Sequence, residues 1–276
     1  SRAQYLRDTF AQDSMRDMGH VSPDSRFVHL YLNGMYWGLY QASERPDDSF
    51  NAEYRGGEKE QYDVMYGDLS DDNVGIRSGQ WGAWNSMMDL FDNGGSAMSE
   101  SDFEQLQDYL DVEEYIDFMI YNGFAVSWDL HHNWYAAALR DPDNPGGPPL
   151  KKFQFFVWDS EIGLYLHFQN FAGPYSSPYN CGPGLMHNYL MGNETYARMF
   201  GDRLHELMFN GGAMTPEATI ARYSMRGEEI MDAVVAESAR WGDWKRPSDP
   251  YTRDEHWANE YDRMINSAHG CEAAGF

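Results

Sequence analysis

Two segments of the chain place acidic side chains where they can bind a cation or accept a proton. In the first, residues 127–135, Asp129 and Asn133 lie between a long helical pattern and a β-rich segment. A carboxylate and a carboxamide on such a loop can serve as a proton acceptor and a metal ligand, respectively. This segment alone is a weak indication, because Asp and Asn also favour turns for conformational reasons.

The second acidic segment follows an apolar strand pattern at residues 153–158. Asp159 and Glu161 come directly after the strand, and Gly163 follows them. Acids at the end of a buried strand are held rigidly while their oxygens face a cleft, which suits a hard cation that carries phosphates. The alternative is an exposed β-turn. Both interpretations stay open, although the strand is very apolar for a sheet edge and Glu161 supplies a second ligand.

Taken together, the two segments follow the order of a protein kinase's catalytic lobe. A long helix leads into a loop with Asp and Asn, a β-hairpin follows, and a second Asp loop precedes a mainly helical remainder. In that arrangement the first Asp accepts the proton of the substrate hydroxyl, whereas the Asn and the second Asp hold Mg²⁺. Catalysis then consists chiefly of positioning and charge neutralisation.

The sequence resembles the CotH-like atypical kinases, a family named after a spore coat protein. The similarity covers most of the chain and rests on residues 26–40 with Glu44, 127–135, 158–163, 203–207 and 211–217. The resemblance implies that Asp129 is the catalytic-loop Asp, that Asn133 is a metal ligand and that Asp159 is the principal Mg²⁺ ligand. It further implies that Glu44 lies near the nucleotide hinge, that ATP and Mg²⁺ are the cofactors, and that the substrate is a Ser/Thr-containing protein, coat-like or extracellular.

Two features depart from the usual kinase pattern. Three residues separate Asp129 from Asn133, one fewer than in the kinase catalytic loop. No Gly-rich loop and no strand Lys precede the first predicted helix, which starts almost at residue 1, so we expect the sequence to begin inside a larger protein or domain. Three alternatives to phosphoryl transfer follow: an inactive kinase fold that binds nucleotide, an ATP-dependent transferase of another kind, and a secreted aromatic-rich binding module.

Periodicity and turn chemistry predict the first elements that position these groups. Apolar residues at helical spacing predict a helix over residues 5–18. Asn33 and Gly34 separate two β-rich runs, residues 27–32 and 36–40, and this dipeptide is the strongest short indication of a β-hairpin.

Beyond the first hairpin, residues 43–79 are predicted to be mostly loop, with one strand at 64–66. A second hairpin is predicted between residues 134–139 and 153–158. A loop is predicted over residues 173–184. Helices are predicted over residues 81–91, 101–124, 194–209, 216–240 and 254–267.

A chain of 276 residues predicts one large domain or two lobes around a cleft. We predict an α+β, atypical protein-kinase-like fold. Its partial β N-lobe, residues 1–50, contains the first helix and hairpin. Its mainly helical C-lobe, residues 51–276, carries the catalytic and metal-binding loops.

The composition limits the kinds of molecule that the protein is expected to bind. The net charge is −24, with 44 acidic and 20 basic residues, of which only four are Lys. Such a surface disfavours non-specific binding to nucleic acid or anionic membrane. No apolar stretch approaches the roughly 20 residues of a membrane span, and the N-terminus has no apolar signal-peptide core. The compartment stays open, with an extracellular or spore-associated setting compatible with the charge.

Other candidates carry less weight. Cys181 and Cys271 are too few for a disulfide framework. His131 and His132 would point to opposite faces of an extended segment and so could not easily share an ion. Four aromatic residues could stack on a sugar or protein ligand, although core packing is commoner. They are Trp81, Trp84, Tyr175 and Tyr179.

Overall fold

A computed structural model describes residues 4–68, 73–91, 97–164, 182–244 and 246–267. The structure is mixed α/β. The helices are α1 (Arg7–Asp17), α2 (Asp48–Arg55), α3 (Gly82–Asp89), α4 (Glu100–Tyr109), α5 (Val112–Ala125), α6 (Gly182–Leu190), α7 (Glu194–Met208), α8 (Pro216–Ile230), α9 (Ala233–Trp241) and α10 (Ala258–Ser267). The strands are β1 (Ser25–Leu32), β2 (Met35–Ser43), β3 (Tyr62–Asp68), β4 (Asn73–Ser78), β5 (Trp134–Leu139) and β6 (Lys151–Val157).

The predicted first hairpin is confirmed as β1 and β2. Asn33 and Gly34 have φ values of 51° and 79°, the left-handed conformations that a tight two-residue connection requires. These two strands form a sheet of their own, separate from the other four. Helix α9 covers the other edge of β2, where Glu237 accepts a hydrogen bond from the backbone N–H of Leu39 at 2.6 Å. The hairpin is thereby anchored to the C-terminal helices.

The other sheet has the order β4-β3-β5-β6, and all its pairs are antiparallel. It confirms the predicted pairing of β5 with β6. The prediction that residues 43–79 are mostly loop is wrong, because this region forms α2, β3 and β4, and β3 is a central strand. The predicted strand at residues 64–66 is confirmed as the middle of β3, and only its polar ends were missed. Asp63 is fully buried in an ion pair with Arg140, and Gly67 breaks the alternation of side chains.

Two helix predictions also need correction, and one helix was missed. A single helix over residues 101–124 is wrong, because α4 ends before Leu110, which is extended, and Asp111 caps α5 by accepting a hydrogen bond from the N–H of Glu114. The predicted helix over residues 216–240 is likewise two helices, α8 and α9. Helix α6 was not predicted. Tyr175, Tyr179, Cys181 and Cys271 lie outside the described residues.

The larger sheet is buried on both faces, which explains why β5 is apolar at every position. Alternate side chains of β5 belong to two different cores. Trp134, Ala136 and Ala138 join the main core with α5, whereas Tyr135, Ala137 and Leu139 join a smaller core with Phe50 of α2. Trp84 stacks on Trp134 with ring centroids 6.0 Å apart, so it is a core residue. Strands β5 and β6 are thus rigid supports for the loops at their ends.

Candidate active site

The Asp129 loop is a compact turn between α5 and β5. Val126 ends α5 with a φ of 51°, and the N–H of Ser127 then returns to the carbonyl of Asn122. The carbonyl of Asp129 accepts hydrogen bonds from the N–H groups of His132 and Asn133, both at 3.1 Å. This helical turn brings Asn133 back beside Asp129. The three-residue spacing therefore still places the two side chains together.

Asn133 connects the two predicted acidic loops. Its Nδ2 donates to Oδ2 of Asp129 at 2.7 Å and to the backbone carbonyl of Asp159 at 3.0 Å. Asp129 is buried, with 6% of its surface exposed. The structure thus brings together three of the residues that the sequence singled out, Asp129, Asn133 and Asp159.

The backbone of the Asp159 loop is tightly held. Asp159 has a φ of 52°, a left-handed conformation that is uncommon for a residue other than Gly. A short 3₁₀ turn, Ser160–Ile162, follows, and the N–H of Leu164 donates to the carbonyl of Ala125 at the end of α5 at 2.5 Å. The two acidic loops are therefore tied to the same helix end.

Helix α1 packs beneath the Asp159 loop and contributes a residue that the sequence did not single out. Oδ1 of Asp8 accepts a hydrogen bond from the backbone N–H of Ser160 at 3.0 Å, and Nη1 of Arg7 donates to the carbonyl of Glu161 at 3.0 Å. Burial raises the pKa of Asp8, although the bonds from Ser160 and Gln41 lower it in part. No sequence pattern marks Asp8, because an acid on a polar helix resembles a solvent-facing residue.

Excess negative charge collects at the two loops. Burial raises the pKa of Asp129, and the charge of Asp159 raises it further, while hydrogen bonding within its loop, the charge of His132 and the bond from Asn133 lower it. The pKa of Glu161 is raised by partial burial of its carboxyl group and then by the charges of Asp159, Asp8 and Asp129. The carboxylates are thus close enough to repel one another, an arrangement that a divalent cation would relieve.

The donor set fits Mg²⁺. Within the described ranges, no three or more His, Cys, Asp or Glu side chains converge as a complete metal site. Mg²⁺ seldom needs one, because it is usually held by one or two carboxylates together with phosphates and water. Asp159 and Glu161 offer carboxylate oxygens. Because Nδ2 of Asn133 is engaged with Asp129 and Asp159, its Oδ1 is the atom that can face a cation.

Glu44 does not join this cluster. Its carboxylate accepts hydrogen bonds from the backbone N–H of Asp24 at 2.9 Å and from the hydroxyl of Tyr54 at 2.8 Å. The next residue, Arg45, lies over the ring of Trp158, 5.2 Å from its centroid. The chain after β2 therefore meets the end of β6 immediately before Asp159.

The two adjacent histidines differ from expectation in geometry. The segment that carries them is a series of turns rather than extended, and the rings of His131 and His132 contact each other with centroids 4.0 Å apart. The prediction that the two side chains point to opposite faces is therefore wrong, because the backbone of His131 and His132 is not extended.

In the described part of the chain, no helix is both long enough and apolar enough to cross a bilayer.

Comparison with known proteins adds one finding. A search of curated proteins gives no match. A family model, described as CotH kinase protein, matches residues 3–269, which is nearly the whole chain. The match includes both acidic loops, helix α1 and the hairpin. The chain therefore belongs to the CotH kinase family.

Proposed function

We propose that the protein transfers a phosphoryl group from Mg²⁺-ATP to a Ser or Thr hydroxyl of a protein substrate. One observation carries the proposal. A single carboxamide, that of Asn133, holds the buried Asp129 and the loop of Asp159 together through bonds of 2.7 and 3.0 Å. A proton acceptor and a cation site must be neighbours in phosphoryl transfer, and membership of the CotH kinase family supports this assignment.

Asp129 has the role of general base or positioner in this proposal. Its carboxylate is buried, its pKa is raised, and the bond from Asn133 fixes one oxygen, so the other can accept the proton of an incoming hydroxyl. A base with a raised pKa is a better proton acceptor than an ordinary aspartate.

Asp159, Asn133 and Glu161 would hold the cation. Mg²⁺ bound to ATP supplies neutralisation of the charge that develops on the transferred phosphoryl group. The chain's own contribution is rigidity. The left-handed turn at Asp159 and the hydrogen bonds to the neighbouring backbone hold the carboxylate of Asp159 just beyond the end of β6.

The proposal extends to the kinase-like division of the chain. Helix α1 and the β1–β2 hairpin would form the part of the N-lobe present in residues 1–50, with the C-lobe in residues 51–276. Glu44 would mark the connection near the nucleotide. The contact of Arg45 with Trp158 supports this placement, because it joins the end of β2 to the Asp159 loop.

Transfer of radiolabelled phosphate from [γ-³²P]ATP to a Ser/Thr-containing acceptor protein tests the proposal. We expect Asp129→Asn to lower kcat by about 10²- to 10⁴-fold, the usual contribution of a general base, without weakening nucleotide binding to the same degree. Asp63→Asn is the matched control, since Asp63 is also a buried aspartate but pairs with Arg140. Equal kcat values for wild type and Asp129→Asn would rule out the assigned role of Asp129.

A further inference from the structure

Helix α1 contacts the Asp159 loop at two backbone groups, both within its 3₁₀ turn, Ser160–Ile162. The carboxylate of Asp8 accepts the N–H of Ser160, and the guanidinium of Arg7 donates to the carbonyl of Glu161, both at 3.0 Å. Asp8 and Ser160 are buried, with 8% and 5% of their surfaces exposed. A hydrogen bond to a carboxylate is stronger than one between neutral groups, and here solvent does not compete for it.

The carboxylate of Asp8 is itself held in place. Its Oδ2 accepts hydrogen bonds from the side-chain amides of Gln12 at 2.8 Å and Gln41 at 2.9 Å. Gln12 also donates to the hydroxyl of Ser43 at 3.0 Å. The group that receives the Ser160 N–H is therefore fixed by both α1 and β2, so a displacement of either element would be felt at the Asp159 loop.

A second set of contacts fixes α1 against α8. Arg226 binds Asp13 through two parallel bonds of 2.7 and 2.9 Å. Arg222 donates to Asp17 at 2.7 Å and to the hydroxyl of Ser14 at 2.9 Å. Arg222 and Arg226 are four residues apart on α8, and their partners Asp17 and Asp13 are four residues apart on α1. The two arginines therefore lie on one face of α8 and meet one face of α1.

The turn that presents Asp159 depends on these supports. Asp159 adopts a left-handed backbone conformation, which persists only where surrounding contacts determine it. The N–H of Ser160 is the first backbone donor after that residue, and Asp8 is its acceptor. Loss of this bond would let the backbone next to Asp159 move, so the side chain of Asp159 would no longer be held in one direction.

We propose that α1 is the positioning element of the Asp159 loop, with Asp8 as its positioning residue and with Arg222 and Arg226 of α8 as the clamp that holds α1. Helix α8 thereby influences a loop with which it shares none of these bonds. The consequence for cation binding rests on the proposed function, whereas the positioning of the loop does not.

Amide hydrogen exchange across residues 157–164, measured by mass spectrometry on the metal-free protein, tests the positioning directly. We expect Asp8→Ala to accelerate exchange in this segment by about tenfold or more, because a hydrogen bond to a charged group is lost. Asp8→Asn keeps an oxygen that can accept the Ser160 N–H but loses the acceptor for Gln12 and Gln41, so its exchange rate should lie between those of wild type and Asp8→Ala. Arg226→Met should accelerate exchange less than Asp8→Ala.

The control is Asp63→Asn, which perturbs a buried aspartate of β3 and should leave exchange in residues 157–164 unchanged. If Asp8→Ala does not fold, Arg7→Met provides the same test, since it removes the donor to the carbonyl of Glu161. Unchanged exchange in Asp8→Ala, or in Arg7→Met where Asp8→Ala does not fold, would overturn the inference. Acceleration in Asp63→Asn equal to that in the α1 variant would overturn it as well. Unchanged exchange in Arg226→Met would overturn the role of the clamp.

Titration with Mn²⁺ alone provides the functional readout. Residues that orient a metal ligand typically change affinity by about 10- to 100-fold when altered, so Asp8→Ala should weaken Mn²⁺ binding by at least about tenfold and Asp8→Asn should weaken it less. If wild type binds neither Mn²⁺ nor Mg²⁺-ATP, the proposed function fails, and the exchange data still decide whether α1 positions the loop.

Discussion

Removal of the Asn133 side chain is the perturbation whose effect follows most directly from the structure. Asn133→Ala deletes one hydrogen bond to the buried carboxylate of Asp129 and one to the backbone carbonyl of Asp159. A bond to a charged group contributes about 1.5–3 kcal/mol and a bond to a neutral carbonyl about 0.5–1.5 kcal/mol. The two together are worth roughly 2–4.5 kcal/mol.

If these bonds hold the catalytic geometry, most of their energy is lost from transition-state stabilisation. At about 1.4 kcal/mol for each factor of ten, kcat/KM should fall by roughly 30- to 1,500-fold. The assay is steady-state phosphate transfer at saturating Mg²⁺. Circular dichroism and the thermal unfolding temperature verify that the variant is folded.

Asn122→Ala is the matched control for this change. Asn122 is also a buried asparagine, and its Nδ2 donates to the carbonyl of Phe118 at 2.8 Å within α5. We expect it to lower stability with less than about a threefold change in kcat/KM, since no bond to either acidic loop is lost. Comparable losses in both variants, or full activity of Asn133→Ala, would refute the proposal that Asn133 organises the site.

Three further predictions follow from buried groups. Gly67→Ala should lower both thermal stability and activity, because a Cβ there would lie 2.4 Å from the Cα of His132 and displace the Asp129 loop; normal activity would contradict this packing. Burial raises the pKa of Glu114 well above its ordinary value, so the contribution of Glu114 to stability should be greatest below the ordinary glutamate pKa and should fall as the pH rises from that ordinary pKa through the raised one. Glu114→Gln should flatten this dependence in unfolding experiments at several pH values, and an unaltered profile would contradict it. The raised pKa of Asp129 predicts that kcat falls on acidification at a pH above the usual aspartate range. The residual activity of Asp129→Asn should lack this acidic decrease in kcat.

Local sequence features predicted the hairpins well. Asn33-Gly34 determines a turn by its own backbone preferences, and β5 and β6 are apolar runs bounded by turn residues. Elements that depend on distant partners were missed, as α2 and β4 were, or were predicted too short, as β3 was. Strand β3 contains the charged Asp63, which is tolerated only because Arg140, at the end of β5, neutralises it. Such pairing cannot be recognised from the residues around Asp63.

The acidic loops were predicted from residue type and order, and the structure joins them through Asn133. The support from α1 was not predictable. Asp8 and Ser160 are far apart along the chain, and Asp8 belongs to no motif that would link it to the Asp159 loop. Helix α1 also lacks a polar face in the usual sense, since polar residues such as Gln12 and Asp13 are buried beside Phe10. Their partners come from β2 and α8, which only the tertiary structure brings into contact.

Calorimetric titration of ATP, with and without Mg²⁺, into wild type and Asp159→Asn tests whether Asp159 holds a nucleotide-bound cation. We expect wild type to bind ATP only when Mg²⁺ is present, and we expect Asp159→Asn to lose this metal-dependent binding while Asp63→Asn retains it. Metal-independent binding, or equal Mg²⁺-dependent affinity in wild type and Asp159→Asn, would contradict the assignment of Asp159 as the cation ligand. A folded wild-type protein that binds no Mg²⁺-ATP would contradict the proposed kinase function itself.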